Sequence, residues 1–239
     1  MPHAFGPVAA SQFPARCAAL VAKHAPRGGG AALDVGCAVG GATFELARTF
    51  ETVVGVDFSA AFVAAASKLA AGERLPCTAV EEGHLSTWFV AAAPSGVDCG
   101  RVRFEVGDAC SLRPSLGPFS AVLASNLLCR LPDPDAFLAS LPRLLAPGGV
   151  AVLVSPYSWL EEYTPRHKWL GGVVRGGDSV HSAEALKARM TELGLSLVAE
   201  EEVPFLIREH ARKYQYGVSH GTVWRKTGAA DAAGGHTHT

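Results

Sequence analysis

Three acidic residues stand where short apolar runs end: Asp34 in "AALDVG" (31–36), Asp57 in "TVVGVD" (52–57) and Asp108 in "RVRFEVGD" (101–108). A carboxylate at such a position accepts hydrogen bonds from hydroxyl, amino and ammonium groups. Gly36 and Gly40, in "LDVGCAVGGATFELA" (33–47), let the chain turn tightly and present backbone N–H groups and a helix start to a ligand. Asp57 follows the turn by about twenty residues, the separation at which a carboxylate reaches ribose hydroxyls. Asp34 at the mouth of the loop would repel a pyrophosphate but can bind the ammonium group of an amino-acid moiety. Asp108 can accept from an adenine amino group, with the Ala109 N–H beside it. Three acids suit a cationic, phosphate-free nucleoside. The bland alternative is an ordinary Gly-rich turn for a dinucleotide. The loop's D-x-G-x-A-x-G spacing, with Ala38 where G-x-G-x-x-G has a glycine, and the lack of a Tyr-x-x-x-Lys pair both argue against it.

A second group of reactive side chains sits in "SNLLCRLPDP" (125–134), "SPYSWLEEYTPRHKWLGG" (155–172) and "PFLIREHARKYQYGVSHGTVWR" (204–225). Tyr157, Trp159 and Tyr216 are candidate walls for a flat acceptor, Arg130 and Arg208 candidate cations, and Glu209 a candidate carboxylate. His210 and His220 are candidate bases or donors, roles that an imidazole can fill. The competing reading for the tryptophans, Trp169 and Trp224 included, is packing, and for Arg212 and Lys213 a solvated surface. A metal is not expected, and the H-x-H of the tail (236–238) is set apart from these groups.

The elements that must position these groups alternate. "SQFPARCAALVAKHA" (11–25) reads as an entry helix, 41–50 as a second, and Ser59 as the N-cap of a third. Strands are expected at 31–36, 52–57, 101–108, 119–126 and 150–156, and a helix at 134–149, kinked at Pro142. Such alternation predicts a parallel sheet covered on both faces, with ligands at the carboxyl ends of its strands. After a helix ending at Gly194, "LSLVAEEEVPF" and "SHGTVWR" suggest an antiparallel edge pair whose connection holds "IREHARKYQYGVSH" (207–220). Segments 73–100 and 156–181 break the alternation and read as insertions in a single domain of residues 1–227, and 228–239 as a disordered tail.

Composition narrows the class. With 239 residues, 49% of them hydrophobic, the chain can build one sizeable core, and a net charge of −1 offers no basic field for nucleic acid. No apolar run reaches the roughly 20 residues needed to cross a bilayer, and no signal-peptide core is evident. Six cysteines without a C-x-x-C pair fit reduced thiols. The expected setting is cytoplasmic, with a small-molecule partner, no nucleic acid and no membrane.

The cofactor-side motifs resemble those of the class I S-adenosylmethionine-dependent methyltransferases: "LDVGCAVGG" their first motif, "VVGVDFS" their ribose-binding acid and "GDAC" their adenine-contacting strand end. The resemblance implies an α/β, Rossmann-like, doubly wound and mostly parallel seven-stranded sheet with an antiparallel C-terminal edge hairpin. It implies a cofactor site of Asp34, Gly36, Cys37, Gly40, Asp57, Phe58, Asp108, Ala109 and Asn126, with S-adenosylhomocysteine as product. The three acceptor-side segments closely resemble the methyltransferase module of the ovothiol-forming enzymes, in which a 5-histidylcysteine sulfoxide synthase is fused to a 4-mercaptohistidine N1-methyltransferase. That likeness implies methyl transfer to the ring nitrogen next to the side chain of 5-thiohistidine. Candidate catalytic residues are then Asn126, Tyr157, His210 and His220. Candidate acceptor contacts are Asn126, Arg130, Tyr157, Trp159, Arg208, Glu209, His210, Tyr216, Ser219 and His220. It also implies coupling to a separate sulfoxide synthase and a lyase. Other small imidazole, thiol or amino-acid acceptors, and a cofactor-binding module without turnover, remain competing readings.

Overall fold

In a computed structural model that describes residues 8–227, the alternation becomes α1 (Phe13–His24), β1 (Ala31–Val35), α2 (Gly41–Leu46), β2 (Thr52–Asp57) and α3 (Ala60–Ala70). The hairpin β3 (Leu75–Glu82) and β4 (Leu85–Ala91) comes next, then β5 (Val102–Val106), β6 (Phe119–Ser125), α4 (Pro134–Leu144) and β7 (Leu145–Ser155). The chain continues with a small hairpin, β8 (Val173–Arg175) and β9 (Asp178–Val180), then α5 (Ser182–Glu192), β10 (Leu195–His210) and β11 (Lys213–Lys226). The expected tail and its H-x-H lie outside the described residues.

One seven-stranded sheet runs in the order β10-β11-β7-β6-β1-β2-β5, and only β11 opposes its neighbours. The doubly wound α/β fold with an antiparallel edge hairpin is therefore the one expected. The inner strands bury both faces, as a parallel sheet must when helices cover each side. Along β6, Ala121 and Leu123 pack toward α1 and α2, whereas Val122 and Ala124 pack with α4 and α5. Val150, Val152 and Val154 of β7 alternate in the same way with Ala151 and Leu153. This period of two is the pleat of a strand. Ser59 does cap α3, its hydroxyl accepting from Phe62 N at 3.3 Å, and Asp133 caps α4 through Ala136 N at 3.2 Å.

Two expectations need correction. The helix expected over 134–149 stops at Leu144, because Pro142 removes a backbone donor in its last turn, and the next strand begins at once. Segments 73–100 and 156–181, read as insertions, each carry a two-stranded hairpin off the main sheet. Most important, 207–220 is not a connection between strands. β10 and β11 continue through it and turn at Ala211 and Arg212 alone. β11 leaves β7 at the His220–Ser155 pair, so the rest of the hairpin projects past the carboxyl end of β7 as an arm. Its tip meets β3: Arg208 donates to the Val80 carbonyl at 3.0 Å, and Ala211 N to the Glu81 carbonyl at 3.3 Å.

Candidate active site

The loop after β1 is folded by its own backbone. Gly36, at φ +75°, and Cys37 both direct their N–H groups at the Val56 carbonyl, at 2.8 and 3.1 Å. A Cβ on Gly36 would lie 2.8 Å from Leu127 Cδ1, so glycine is required there on two counts. Ala38, at φ +47°, donates to Asp57 Oδ2 at 2.8 Å, and Ser59 N donates to Asp57 Oδ1 at 2.8 Å. One carboxylate thus holds the loop to the end of β2 while keeping lone pairs for a ligand.

Asp57 lines a cleft of about 260 Å³ at the carboxyl ends of the strands, with Phe58, Asp108, Ala109 and Leu127. Asp108 is held by accepting from Cys110 N at 2.8 Å. Phe58 is 79% exposed at the cleft mouth, a large apolar ring that a flat ligand would cover. Arg130 also lines the cleft, but its guanidinium is occupied by the Ser158 carbonyl at 2.9 Å and the face of Tyr163 at 4.7 Å. Two expected contacts sit deeper. Cys37 is buried, and its thiol, with its pKa raised by burial, faces Gly55 beneath the loop. Asp34 is buried below the loop rather than at its mouth. One oxygen accepts from the Thr43 hydroxyl at 2.7 Å and the other has no partner among the described residues. Burial, partly opposed by that hydrogen bond, pushes the Asp34 carboxyl up to about 6.

A second cluster forms past the ends of β6 and β7. Asn126, the residue after β6, and Tyr157, two residues past the end of β7, both adopt left-handed backbone, at φ +52° and +53°. Conformations of this kind cost side-chain-bearing residues of order 1–3 kcal/mol and persist where the surroundings impose them. Asn126 N donates to the Val154 carbonyl at 2.7 Å, and its Oδ1 accepts from the Ser219 hydroxyl at 2.7 Å. Tyr157 N donates to Ser155 Oγ at 3.2 Å, and its hydroxyl lies 2.9 Å from His220 Nδ1. His220 Nε2 lies 2.9 Å from Glu200 Oε1, which also receives Lys187 Nζ at 2.7 Å. Burial, and then the charges of Glu200 and Glu202, raise the Tyr157 pKa, so its hydroxyl stays protonated beside His220 Nδ1, and the tautomer of His220 decides which of the two donates.

The structure pairs Asn126 with Ser219 and Tyr157 with His220, two pairs whose strand residues are neighbours on β11 with side chains on opposite faces, and separates the rest of the expected acceptor set from them. Arg208, Glu209 and His210 lie at the tip of the arm, and the strand from His220 to Tyr214, opposite Arg208, covers roughly 20 Å. Glu209 is engaged by Lys213 Nζ at 2.6 Å and Gln215 Nε2 at 2.8 Å, and His210 Nδ1 accepts from Arg212 N at 3.3 Å. Tyr216 faces solvent on the arm. Trp159 is packed away, donating to Ser182 Oγ at 2.9 Å and stacking on Trp169. Glu200 and Glu202 are the acids beside the tyrosine–histidine pair. The run "AEEEV" displays them, but which of its acids meets His220 depends on strand register, and sequence does not give that. Among the described residues no group of three or more His, Cys, Asp or Glu could hold a metal ion.

Comparison with known proteins adds a family. The model of a methyltransferase domain matches residues 9–200. Phosphoethanolamine N-methyltransferase 1 of Arabidopsis thaliana is 26% identical over 171 residues, 71% of this chain and 29% of that protein. The chain spans about three-tenths of the length of the curated relatives it matches. Among solved structures, the magnesium protoporphyrin IX methyltransferase of Synechocystis with bound S-adenosylmethionine superposes with a TM-score of 0.55 at 16% identity, covering 92% of this chain and 81% of that one. A methyltransferase from Methanosarcina mazei gives 0.54 at 18% identity, covering 83% and 92%. At these identities the structural likeness establishes the fold.

Proposed function

The chain belongs to the methyltransferase-domain family, and from that premise we propose that it moves the methyl group of S-adenosylmethionine to the ring nitrogen next to the side chain of 5-thiohistidine. The cofactor cleft fits that donor. It has carboxylates at the ribose and adenine positions, an exposed Phe58 ring at its mouth and a guanidinium already engaged elsewhere, a donor set suited to a phosphate-free nucleoside. When bound, S-adenosylmethionine supplies an electrophilic methyl on a sulfonium sulfur. Asp57 then holds the ribose, Asp108 the adenine amino group, and the Gly36–Gly40 turn the amino-acid end.

The acceptor reading rests on one observation: the Tyr157–His220 hydrogen bond stands with Asn126 at the ends of β6 and β7 and is flanked by Glu200 and Glu202. Methyl transfer is an in-line displacement in which position accounts for up to about 7–11 kcal/mol of the barrier. An imidazole must be held edge-on to present nitrogen and keep the more nucleophilic thiolate aside, which a rigid tyrosine and a tethered asparagine can do. The acidic pair favours an acceptor carrying an ammonium group. It disfavours one carrying a phosphate, such as phosphoethanolamine, because like charges repel at close range.

Purified protein should be given S-adenosylmethionine with 5-thiohistidine, histidine or phosphoethanolamine in separate reactions. Formation of S-adenosylhomocysteine with thiohistidine gaining one methyl is expected, at a kcat/KM at least tenfold above the other two. Faster turnover of phosphoethanolamine, or none of thiohistidine, overturns the acceptor assignment.

A further inference from the structure

We propose that Glu200 is a positioning residue that fixes the tautomer of His220, making the Tyr157–His220 pair the exit for the acceptor's ring proton; this rests on the acceptor reading above. The groups are joined in series: Tyr157 hydroxyl to His220 Nδ1 at 2.9 Å, His220 Nε2 to Glu200 Oε1 at 2.9 Å, and Glu200 Oε1 to Lys187 Nζ at 2.7 Å. A carboxylate only accepts, so the imidazole proton resides on Nε2 and donates to Glu200. Nδ1 is then left with a lone pair, and the Tyr157 hydroxyl donates into it. The phenol oxygen keeps its own lone pairs for a proton arriving from the pocket side. Lys187 on α5 keeps Glu200 ionised, since its hydrogen bond is the main influence holding the Glu200 carboxyl below its usual range. The charged and titratable groups around His220 are thus Tyr157 after β7, Glu200 and Glu202 on β10, and Lys187 on α5.

The chemistry needs such an exit. In 5-thiohistidine the sulfur carries the negative charge and both ring nitrogens carry hydrogen, so the attacking nitrogen must lose its proton to expose a lone pair. That proton passes to the Tyr157 oxygen as the phenol proton passes to Nδ1, leaving an imidazolium paired with Glu200. The freed nitrogen pair forms the N–CH3 bond while the pair of the breaking C–S bond returns to sulfur. The imidazolium then sheds its Nε2 proton to water at the partly exposed Glu200, and once product leaves, uptake of a proton at Nε2 with return of the Nδ1 proton through Tyr157 to water restores the starting tautomer.

The test has two readouts. Long-range nitrogen–proton NMR of histidine-labelled protein, without cofactor or acceptor and with His220→Gln to assign the ring, should show the Nε2–H tautomer. Glu200→Ala should convert it to a mixture or to Nδ1–H. In turnover, Glu200→Gln should lower kcat about 10–100-fold, part of the contribution of a general base. It should also move the acidic limb of the kcat profile to lower pH, because the imidazolium loses its paired charge, while KM for S-adenosylmethionine stays within twofold. Lys187→Met removes a nearby positive charge while Glu200 stays ionised near neutral pH, so it should shift the same limb in the opposite direction, to higher pH, by a smaller amount. An unchanged tautomer in Glu200→Ala overturns the proposal. So does an altered tautomer accompanied by wild-type kcat and an unmoved limb in Glu200→Gln. If thiohistidine is not turned over at all, the acceptor reading fails, and the tautomer measurement still decides whether Glu200 sets His220.

Discussion

Replacing Asp57 by alanine separates the two duties that the structure gives this carboxylate. Its oxygens accept the Ala38 and Ser59 N–H groups, each at 2.8 Å, and the remaining lone pairs face the cleft where two ribose hydroxyls would donate. Each hydrogen bond to a charged acceptor contributes about 1.5–3 kcal/mol, so two ribose contacts amount to roughly 3–6 kcal/mol, or about 10²–10⁴ in affinity. The cleft is open to water beside Phe58, which places the expected loss near the lower end, about 100-fold in Kd for S-adenosylhomocysteine by calorimetry. The two backbone contacts are partly exposed and can be rehydrated, so stability should fall by roughly 1–2 kcal/mol, a few degrees in Tm for a chain of this size. Asp57→Asn should recover only part of the Tm and little of the affinity, because its single oxygen can accept one of the two N–H groups while its NH2 faces the other, and the charge is gone. A Tm that falls with affinity still within threefold of wild type would refute the reasoning, reducing Asp57 to a brace for the loop.

Other perturbations follow from the same geometry. Gly36→Ala places a methyl 2.8 Å from Leu127 Cδ1 at φ +75°, so a loss of roughly 1–2 kcal/mol in urea unfolding and about tenfold in S-adenosylhomocysteine affinity is expected; wild-type values for both would sink that account. Asp34 has its folded pKa raised from 3.8 to about 6, so the folded state binds the proton more tightly than the unfolded chain. Its burial therefore costs nothing below about pH 4, and the cost grows as pH rises and is complete above about 6, on the order of 3 kcal/mol. Unfolding free energies of Asp34→Asn and wild type should agree at low pH and diverge in the variant's favour across that window, and a difference independent of pH would contradict the assignment. Trp159→Phe removes the donor to Ser182 but keeps the ring stack, so about 1 kcal/mol of stability should go while S-adenosylhomocysteine affinity and acceptor KM hold; a large rise in KM would put Trp159 back in the pocket.

Most of the sheet was legible because its signals are short-range. Ser59 and Pro134 mark helix starts, and the buried runs of β1, β2, β6 and β7 lie between Gly-rich turns. The hairpins β3–β4 and β8–β9 were harder to read. Their strands lie largely exposed, so the alternation of apolar and polar residues that a core imposes is weak there. In α4 the local signal misled: apolar residues continue past Pro142, and only the start of β7 at Leu145 shows where the helix ends.

By itself the sequence determined much of the strand-end cleft. Gly36, Asp57 and Asp108 sit at strand ends that adjoin because consecutive parallel strands pack side by side, so their meeting needs little beyond local order. Tertiary structure alone decided the cluster of Tyr157, His220 and Glu200. Tyr157 meets His220, and His220 meets Glu200, through the register of β11 against β7 and β10, where a slip of one residue would turn each side chain to the opposite face. The same register carries Arg208, Glu209 and His210 outward. Once a two-residue turn closes the hairpin, the most chemically crowded stretch of the chain becomes the tip of an arm, and a glutamate from a bland acidic run takes the place beside the histidine.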